Sequence, residues 1–388
     1  MRPRPSVRIE IDNANAYSQR STGERSQALD VALIGLASSG KSTLLRALAA
    51  GHLPHHGSPA EPAVAVVKVP DERLDRLAAL IAAKKTTYLE QRILDFPSLS
   101  VGKKGPTAQM LGLLSTADLI IHVVRAFTDA AVPHPAESVD PARDAAALDL
   151  ELALADLGVV ERRIERLRAE TRSLAAGARG VQERELALLD RLKEGLEAEQ
   201  PVRALGLTPE EAALLAGFNL ITAKPLLLVL NVDEADAARA SEIEAAAAAQ
   251  AGAGTGVVAL ALKAEADVAE LPPADAAEFR RELGLPATAA AERLLQEAVA
   301  ILHLITFYTV GPQDTHAWAV PAGTPAVKAA GRIHSDIERG FIRAEVITAE
   351  DFLDAGSHTE AKRRGRQRLE GKAYEVADGD VINVLFNV

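Results

Sequence analysis

Residues 35–43 constrain the fold of this 388-residue chain more than any other segment. They read GLASSGKST, which fits G-x-x-x-x-G-K-[ST] in full; the apolar run 31–34 comes before them and the helix-forming run 44–50 comes after. Glycines let the backbone curl so that its N–H groups point at phosphate oxygens, and the start of the helix attracts the same anion. The segment therefore predicts a nucleotide-phosphate site in a domain of alternating strands and helices.

Side chains in this loop and in the next strand indicate how phosphate and metal would be held. Lys41 would reach the β- and γ-phosphates and stabilise their charge during catalysis. The Ser42 hydroxyl would bind Mg²⁺, and Asp95, at the end of the strand candidate 92–95, is the expected second partner of that ion. An ordinary turn aspartate is the alternative for Asp95. The residues predicted to bind nucleotide at this loop are Gly35, Ala37, Ser38, Ser39, Gly40, Lys41, Ser42 and Thr43.

Continuous apolar runs recur at residues 119–124, 226–230 and 257–262, with helix-forming segments between them. Such runs are typical of strands buried on both faces of a mostly parallel sheet. Between 150 and 222, leucines spaced three and four apart predict an antiparallel helical hairpin with a coiled-coil seam. We therefore predict a flexible extension at 1–28, a discontinuous α/β nucleotide-binding domain at 29–149 and 223–302, a helical insertion at 150–222, and an α+β domain at 303–388.

The composition narrows the chemistry and the compartment. The chain has no cysteine, which excludes disulfides, zinc–thiolate sites and a cysteine nucleophile. Its formal net charge is −11, so contact with nucleic acid would need a local basic patch. No apolar run reaches the length of a membrane span, and the start lacks the apolar core of a secretory signal. We expect a cytoplasmic protein that makes no membrane contact and is a monomer.

A second nucleotide contact is predicted after the run 226–230, where the sequence reads Asn231-Val232-Asp233-Glu234. GTPases carry N-K-x-D at this point, and the carboxylate of the final aspartate accepts two hydrogen bonds from guanine. Glu234 is one methylene longer than aspartate, and adenine has no N1–H group to donate to a carboxylate. We expect Asn231 and Glu234 to contact the nucleotide, with ATP permitted and GTP still open.

Several widely spaced stretches resemble the Obg-like ATPases of the YchF type, over about residues 29–388. They include GLASSGKST, HVVRAF, ITAKP, NVDE, AAGRIHSDIERGFIRAEVI and RLEGKAYEVADGDVINVLFNV. The resemblance implies a G-type nucleotide domain, an inserted helical arm and a C-terminal β-grasp domain of the TGS type. It also implies hydrolysis with a preference for ATP and an association with ribosomes or translation.

Both predicted switch segments depart from the pattern of that family. The first reads S-P-A-E-P at 58–62 where the family has C-T-I-E-P, and Pro59 offers neither a hydroxyl nor an N–H group to the nucleotide. The second reads D-F-P-S-L at 95–99 where the family has D-I-A-G-L, so Pro97 stiffens the loop and Ser98 replaces a glycine. Leu99 keeps the family's apolar residue and cannot act as a base. We expect normal nucleotide binding with slow hydrolysis. The first alternative is a nucleotide-sensing ribosome-binding module with little turnover. The second alternative is a purely RNA-binding protein with a vestigial nucleotide site.

Three further groups of residues have two interpretations each. His134 follows the run 119–124, resembles a histidine of the family and is a candidate for positioning water, or else a structural residue. The histidines at 52, 55 and 56 could suggest a metal, but carboxylates at ligand spacing are missing. The basic run 362–368 would bind RNA or ribosomes, or form a solvated helix face. The helical hairpin is either a second contact arm or an insertion that packs on itself.

Overall fold

The computed structural model of the protein describes residues 9–10, 29–48, 62–102, 105–172 and 180–387. Thirteen strands lie in these ranges. In chain order they are β1 (Ile9–Glu10), β2 (Leu29–Ile34), β3 (Ala63–Lys68), β4 (Thr86–Thr87), β5 (Glu90–Asp95), β6 (Leu119–Arg125), β7 (Leu226–Asn231), β8 (Thr255–Leu260), β9 (Leu304–Val310), β10 (Thr315–Pro321), β11 (Phe341–Thr348), β12 (Arg368–Glu370) and β13 (Asp380–Phe386).

Fourteen α-helices alternate with these strands in the described ranges. In chain order they are α1 (Lys41–Leu48), α2 (Glu72–Leu80), α3 (Ala108–Leu114), α4 (Pro141–Arg172), α5 (Gly180–Glu197), α6 (Pro209–Leu215), α7 (Ala240–Ala248), α8 (Leu262–Ala269), α9 (Pro273–Glu282), α10 (Ala290–Ile301), α11 (Ala326–Ile333), α12 (Ser335–Arg339), α13 (Ala349–Ala355) and α14 (His358–Arg363). Short 3₁₀ helices occupy Val202–Ala204, Ala216–Phe218 and Glu234–Arg239. None of the helices described above has the combined length and apolar character that a membrane span requires.

The first sheet has the strand order β1-β3-β5-β2-β6-β7-β8. The strands from β5 to β8 pair in parallel, whereas β1 and β3 are antiparallel additions at one edge. Every residue of β6 is buried, because helices cover both faces of the sheet. Leu44 of α1 and Leu294 of α10 pack on one face, and Leu114 of α3 and Leu148 of α4 pack on the other. The predicted α/β class with a mostly parallel sheet is confirmed.

The helical insertion is built on α4 and α5, which share an apolar seam. Val160, Ile164 and Leu167 of α4 are buried against a cluster that includes Leu189 and Leu192 of α5. Helix α4 begins nine residues earlier than the predicted start of the insertion at 150, because Pro141 occupies its first position. We refer to α4, α5 and α6 with the 3₁₀ helix Ala216–Phe218 as the arm.

The second sheet has the order β12-β11-β13-β9-β10-β4. Its last strand, β4, comes from the N-terminal part of the chain and pairs in parallel with β10. Helix α2 packs against the same sheet, where the Tyr308 hydroxyl donates to Asp71 at 2.6 Å and Arg73 pairs with Asp378 at 2.6 Å. The nucleotide-binding and C-terminal parts are therefore joined by strand β4, by a hydrogen bond and by an ion pair.

Candidate functional site

The phosphate loop connects β2 to α1 with glycines at its two critical positions. A Cβ atom on Gly35 would lie 2.4 Å from the Val123 carbonyl oxygen, and one on Gly40 would lie 2.2 Å from Asn231 Nδ2. Gly40 also has a φ of 105°, which side-chain-bearing residues rarely adopt. Backbone and neighbours thus require both glycines, and the loop has the geometry that places N–H groups around an anion.

Lys41 is the first residue of α1, and its side chain folds back under the loop. Its ammonium group donates to the Gly35 carbonyl at 3.1 Å and to the Ser98 hydroxyl at 3.0 Å. Only 7% of Lys41 is exposed. Burial lowers the pKa of Lys41 to about 8, and the nearby Asp95 carboxylate opposes this shift. A desolvated cation beside a curled backbone is a strong attractor for phosphate.

The second switch segment lies directly against the phosphate loop. The Phe96 N–H donates to the Leu33 carbonyl at 3.0 Å, and the Leu99 N–H donates to the Gly35 carbonyl at 3.1 Å. These bonds run the segment alongside the loop and bring the Ser98 hydroxyl to Lys41. Leu99 is 4% exposed, so its side chain belongs to the core.

Ser42 and Asp95 are the predicted partners of Mg²⁺, and both carry oxygen atoms of the kind this metal binds. Ser42 is exposed in the first turn of α1, and Asp95 is buried at the end of β5. Magnesium usually takes one or two protein oxygens and completes its octahedron with water and phosphate. One hydroxyl and one carboxylate therefore fit this metal, and within the described ranges no cluster of three or more histidines or carboxylates competes for it. The histidines at 52, 55 and 56 and the first-switch residues 58–61 lie outside those ranges.

Asn231 ties the predicted base-recognition strand to the phosphate loop. Its Nδ2 donates to the Ser39 carbonyl at 3.0 Å, and its Oδ1 accepts from the Leu262 N–H at 3.3 Å. These two bonds fix the Asn231 amide between the phosphate loop and the start of α8. Glu234 is exposed at the start of a 3₁₀ helix. Sequence reasoning missed Asp233, whose carboxylate accepts from the Thr128 N–H at 3.0 Å and so joins two loops at this edge.

The His134 ring lies against a carboxylate at one nitrogen and accepts a backbone hydrogen bond at the other. Its Nε2 lies 2.8 Å from Asp144 Oδ2, and its Nδ1 accepts from the Ala136 N–H at 3.1 Å. The loop that leads to it is held by Arg125, a buried residue at the end of β6, which donates to four backbone carbonyls. The His134 side chain is 5% exposed, so it must move before it can orient a water molecule. A charged residue ending a buried strand was the available sign that Arg125 has this organising role.

Acidic residues surround the basic run 362–368. Among the ion pairs are Arg363 with Glu360 at 2.6 Å and Arg364 with Asp354 at 3.0 Å. Among the residues that the structure describes, the acidic partners are Glu345, Asp351, Asp354, Glu360, Glu370 and Asp380. This neutralisation favours the interpretation of the run as a solvated surface.

A buried polar joint fixes the arm to the nucleotide-binding sheet, and sequence reasoning did not find it. Asp156 of α4 accepts hydrogen bonds from the Ile221 N–H at 2.9 Å and from the Thr222 N–H and hydroxyl at 2.7 Å each. Arg203 then links Asp149 of α4, at 3.3 Å, to Thr255 of β8, at 3.2 Å. The stretch ITAKP at 221–225 contributes the groups that bond to Asp156. We call Asp149, Asp156, Arg203 and Thr222 the arm joint.

Comparisons with known proteins agree with this architecture. A family model, YchF-GTPase_C, described as a protein of unknown function (DUF933), matches residues 304–387. The Ribosome-binding ATPase YchF of Bacillus subtilis (strain 168) is 37% identical over 370 residues, which cover 93% of this chain and 100% of that protein. The protein of the same name from Escherichia coli O157:H7 is 36% identical over 362 residues, covering 92% and 98%. The solved structure of the Schizosaccharomyces pombe YchF GTPase matches with a TM-score of 0.81 at 26% identity, over 94% of this chain and 99% of that one. The chain therefore belongs to the YchF family of Obg-like ATPases.

Proposed function

We propose that the protein is a Mg²⁺-dependent P-loop nucleotide hydrolase that prefers ATP, turns over slowly and associates with ribosomes in the cytoplasm. The observation that carries the proposal is the desolvated Lys41 ammonium between the Gly35 carbonyl and the second switch segment. Relatives over the whole chain bear the name of ribosome-binding ATPases, which supports the ATP and ribosome parts of the proposal.

Hydrolysis of the nucleotide requires little covalent chemistry from the protein. A water molecule attacks the γ-phosphorus, and the bond from that phosphorus to the oxygen bridging it to the β-phosphate breaks. Lys41 and the N–H groups of the phosphate loop stabilise the charge on the phosphate oxygens and keep the phosphates in line. Ser42 and Asp95 would hold Mg²⁺, whose contribution is to neutralise charge on the same oxygens.

Two features around the phosphate loop support slow turnover. Leu99 is buried in the core, and the His134 side chain is 5% exposed, with its Nδ1 accepting a backbone hydrogen bond. The Ser98 hydroxyl accepts a hydrogen bond from Lys41 that a phosphate oxygen would otherwise accept. This last contact also favours the second candidate function, a nucleotide-sensing ribosome-binding module with little hydrolysis.

Titration of the purified chain with fluorescent ATP, ADP and GTP in Mg²⁺, with phosphate release followed in parallel, tests the proposal. Tight ATP binding with slow release, stimulated by ribosomes, supports the hydrolase. Tight binding with no release in the presence of ribosomes supports the sensing module. Absence of binding to all three nucleotides would refute both functions.

Ser98→Gly is expected to tighten ATP binding by about tenfold, because one charge-assisted hydrogen bond to Lys41 no longer has to break. ADP binding should change less, since the γ-phosphate is the group that takes over this contact. Ser100→Gly is the matched control, because it adds the same backbone freedom two residues away at an exposed position. Equal gains in the two variants, measured by fluorescence titration, would assign the effect to loop flexibility.

Nucleotide affinity is expected to fall as the pH rises through about 8. The pKa of Lys41 in the free protein is lowered to about 8, so the ammonium loses its proton above that pH. Bound phosphate favours the charged form and raises this pKa, so affinity is fully present below pH 8 and declines by up to about tenfold per unit above it. Calorimetric titration with ATP from about pH 7 to about pH 9.5 measures the decline. A profile of equal steepness in Lys41→Met would assign the pH dependence to another group.

A further inference from the structure

The arm carries a cavity of about 430 Å³ that the nucleotide site does not use. Its walls include Arg162, Arg163 and Arg166 of α4, Glu185 of α5, and Gly217 with Phe218 of the 3₁₀ helix that follows α6. We call these six residues the arm pocket. Three guanidinium groups converge on one concavity here, in a protein whose net charge is −11.

Among the described residues, acidic neighbours neutralise one of the three arginines, Arg163. Arg163 pairs with Glu185 through two hydrogen bonds of 2.7 and 3.1 Å, which also fixes the wall of the pocket. Arg162 and Arg166 are exposed and lie one helical turn apart on α4. Across the described ranges, no carboxylate lies within ion-pair distance of either guanidinium group. Two adjacent planar cations with free donors match phosphate oxygens better than lysines would.

Phe218 gives the pocket an aromatic surface beside these cations. Its ring packs partly on the apolar core of the arm and remains partly exposed toward the cavity. Gly217 leaves open space next to it, since a Cβ atom there would meet nothing within 4 Å. A half-exposed aromatic face beside arginines is the arrangement that binds unpaired nucleotides, with the base stacked and the phosphate held by the cations.

We infer that the arm pocket binds an unpaired nucleotide of RNA, with its phosphates at Arg162 and Arg166 and its base on Phe218. The aromatic face favours RNA over an acidic peptide, which would use the arginines but gain little from stacking. This inference rests on the proposed association with ribosomes, because it names the contact that the arm would make there. The proposed RNA-binding surface is therefore on the arm and not at the run 362–368, whose charges are neutralised.

Fluorescence anisotropy with a labelled, unstructured uridine 12-mer and the full-length chain tests the pocket. The double variant Arg162→Gln/Arg166→Gln is expected to lose at least about tenfold in affinity and to lower the salt slope by about 1.4, the value for two phosphate contacts on a single strand. Phe218→Leu should lose about fivefold or more with the salt slope unchanged. The matched control is Arg168→Gln/Arg191→Gln, which removes two charges from the same arm where both arginines are already paired with acids. It should lose less than about threefold.

Equal losses in the pocket and control doubles would overturn the inference, as would failure of the wild-type chain to bind the 12-mer. Binding of poly-glutamate with the same affinity and the same dependence on Arg162 and Arg166 would also overturn it in favour of an acidic protein partner. Melting curves establish that the variants fold. Ribosome co-sedimentation and ATP titration on the same preparations separate the two proposals. Co-sedimentation that the pocket double does not weaken refutes the pocket alone, whereas a wild-type chain that neither co-sediments nor binds ATP refutes the proposed function.

Discussion

Replacing Lys41 by methionine is expected to weaken ATP binding by about 10²–10³-fold, because the cation that faces the phosphates is lost from a desolvated site. The nucleotide-free protein should change little in stability, since the unfavourable burial of an ammonium group is removed while the buried Asp95 carboxylate loses a nearby cation. The Gly35 and Ser98 groups that accepted hydrogen bonds from Lys41 keep other partners. The Gly35 carbonyl still accepts from the Leu99 N–H, and the exposed Ser98 hydroxyl can bond to water.

A large loss of ATP affinity without a loss of stability distinguishes an effect on binding from an effect on folding. Calorimetric titration gives the ATP affinity, and thermal melting without nucleotide gives the stability. Arg46→Met is the matched control, because Arg46 lies in the same helix but pairs with Asp267 and Glu270 away from the loop. It should change ATP affinity by less than about threefold. A Lys41→Met protein that binds ATP as tightly as Arg46→Met would show that the phosphate loop is not the nucleotide site.

The strands and the phosphate loop could be predicted because each is encoded by neighbouring residues. A run such as LIIHVVR has no alternation, and the structure buries all of its residues. The glycines of the loop were predicted from a pattern, and the structure gives the reason in the short distances to Val123 and Asn231. Local encoding also explains why the position of Asp95 at a strand end was predicted correctly.

Contacts between residues that are far apart in the chain could not be predicted from the sequence. The Lys41–Ser98 bond depends on a loop register that only the packed sheet defines. Strand β4 has two residues and no periodicity, so its pairing with β10 leaves no pattern to detect. The acidic partners of the basic run come from several separate segments, and a count of charges in one segment cannot reveal them.

The arm joint is the clearest case of a functional element that emerges only in three dimensions. Asp156 and Thr222 are 66 positions apart in the chain. Arg203 in this joint and Lys41 at the phosphate loop both contribute electrostatically to the pKa of His122, a buried residue of β6. Burial, with smaller contributions from these two cations, lowers the pKa of His122 to about 3, so the residue is neutral in the folded protein.

Asp156→Asn is expected to lower the free energy of unfolding by about 2–4 kcal/mol, although it changes one atom and no volume. Both carboxylate oxygens of Asp156 accept hydrogen bonds, from Ile221 on one side and from Thr222 on the other. An asparagine must turn its NH₂ group toward one of these donors, which leaves a buried N–H group unsatisfied. It also removes the negative charge near Arg203, which is buried in the same joint. ATP affinity should stay within about threefold of wild type, because the phosphate loop is untouched.

Asp190→Asn makes the same chemical change on the other long helix of the arm, where the carboxylate is 42% exposed and pairs with Arg168 at 3.1 Å. This control should alter stability by less than about 0.5 kcal/mol, since solvent screens an exposed pair. Urea unfolding followed by helical circular dichroism compares the two variants and the wild type. Similar midpoints for Asp156→Asn and wild type would mean that the joint contributes little, and that the seam between α4 and α5 alone sets the position of the arm. A lower midpoint in Asp156→Asn only would identify the joint as the element that fixes the arm to the sheet carrying the nucleotide site.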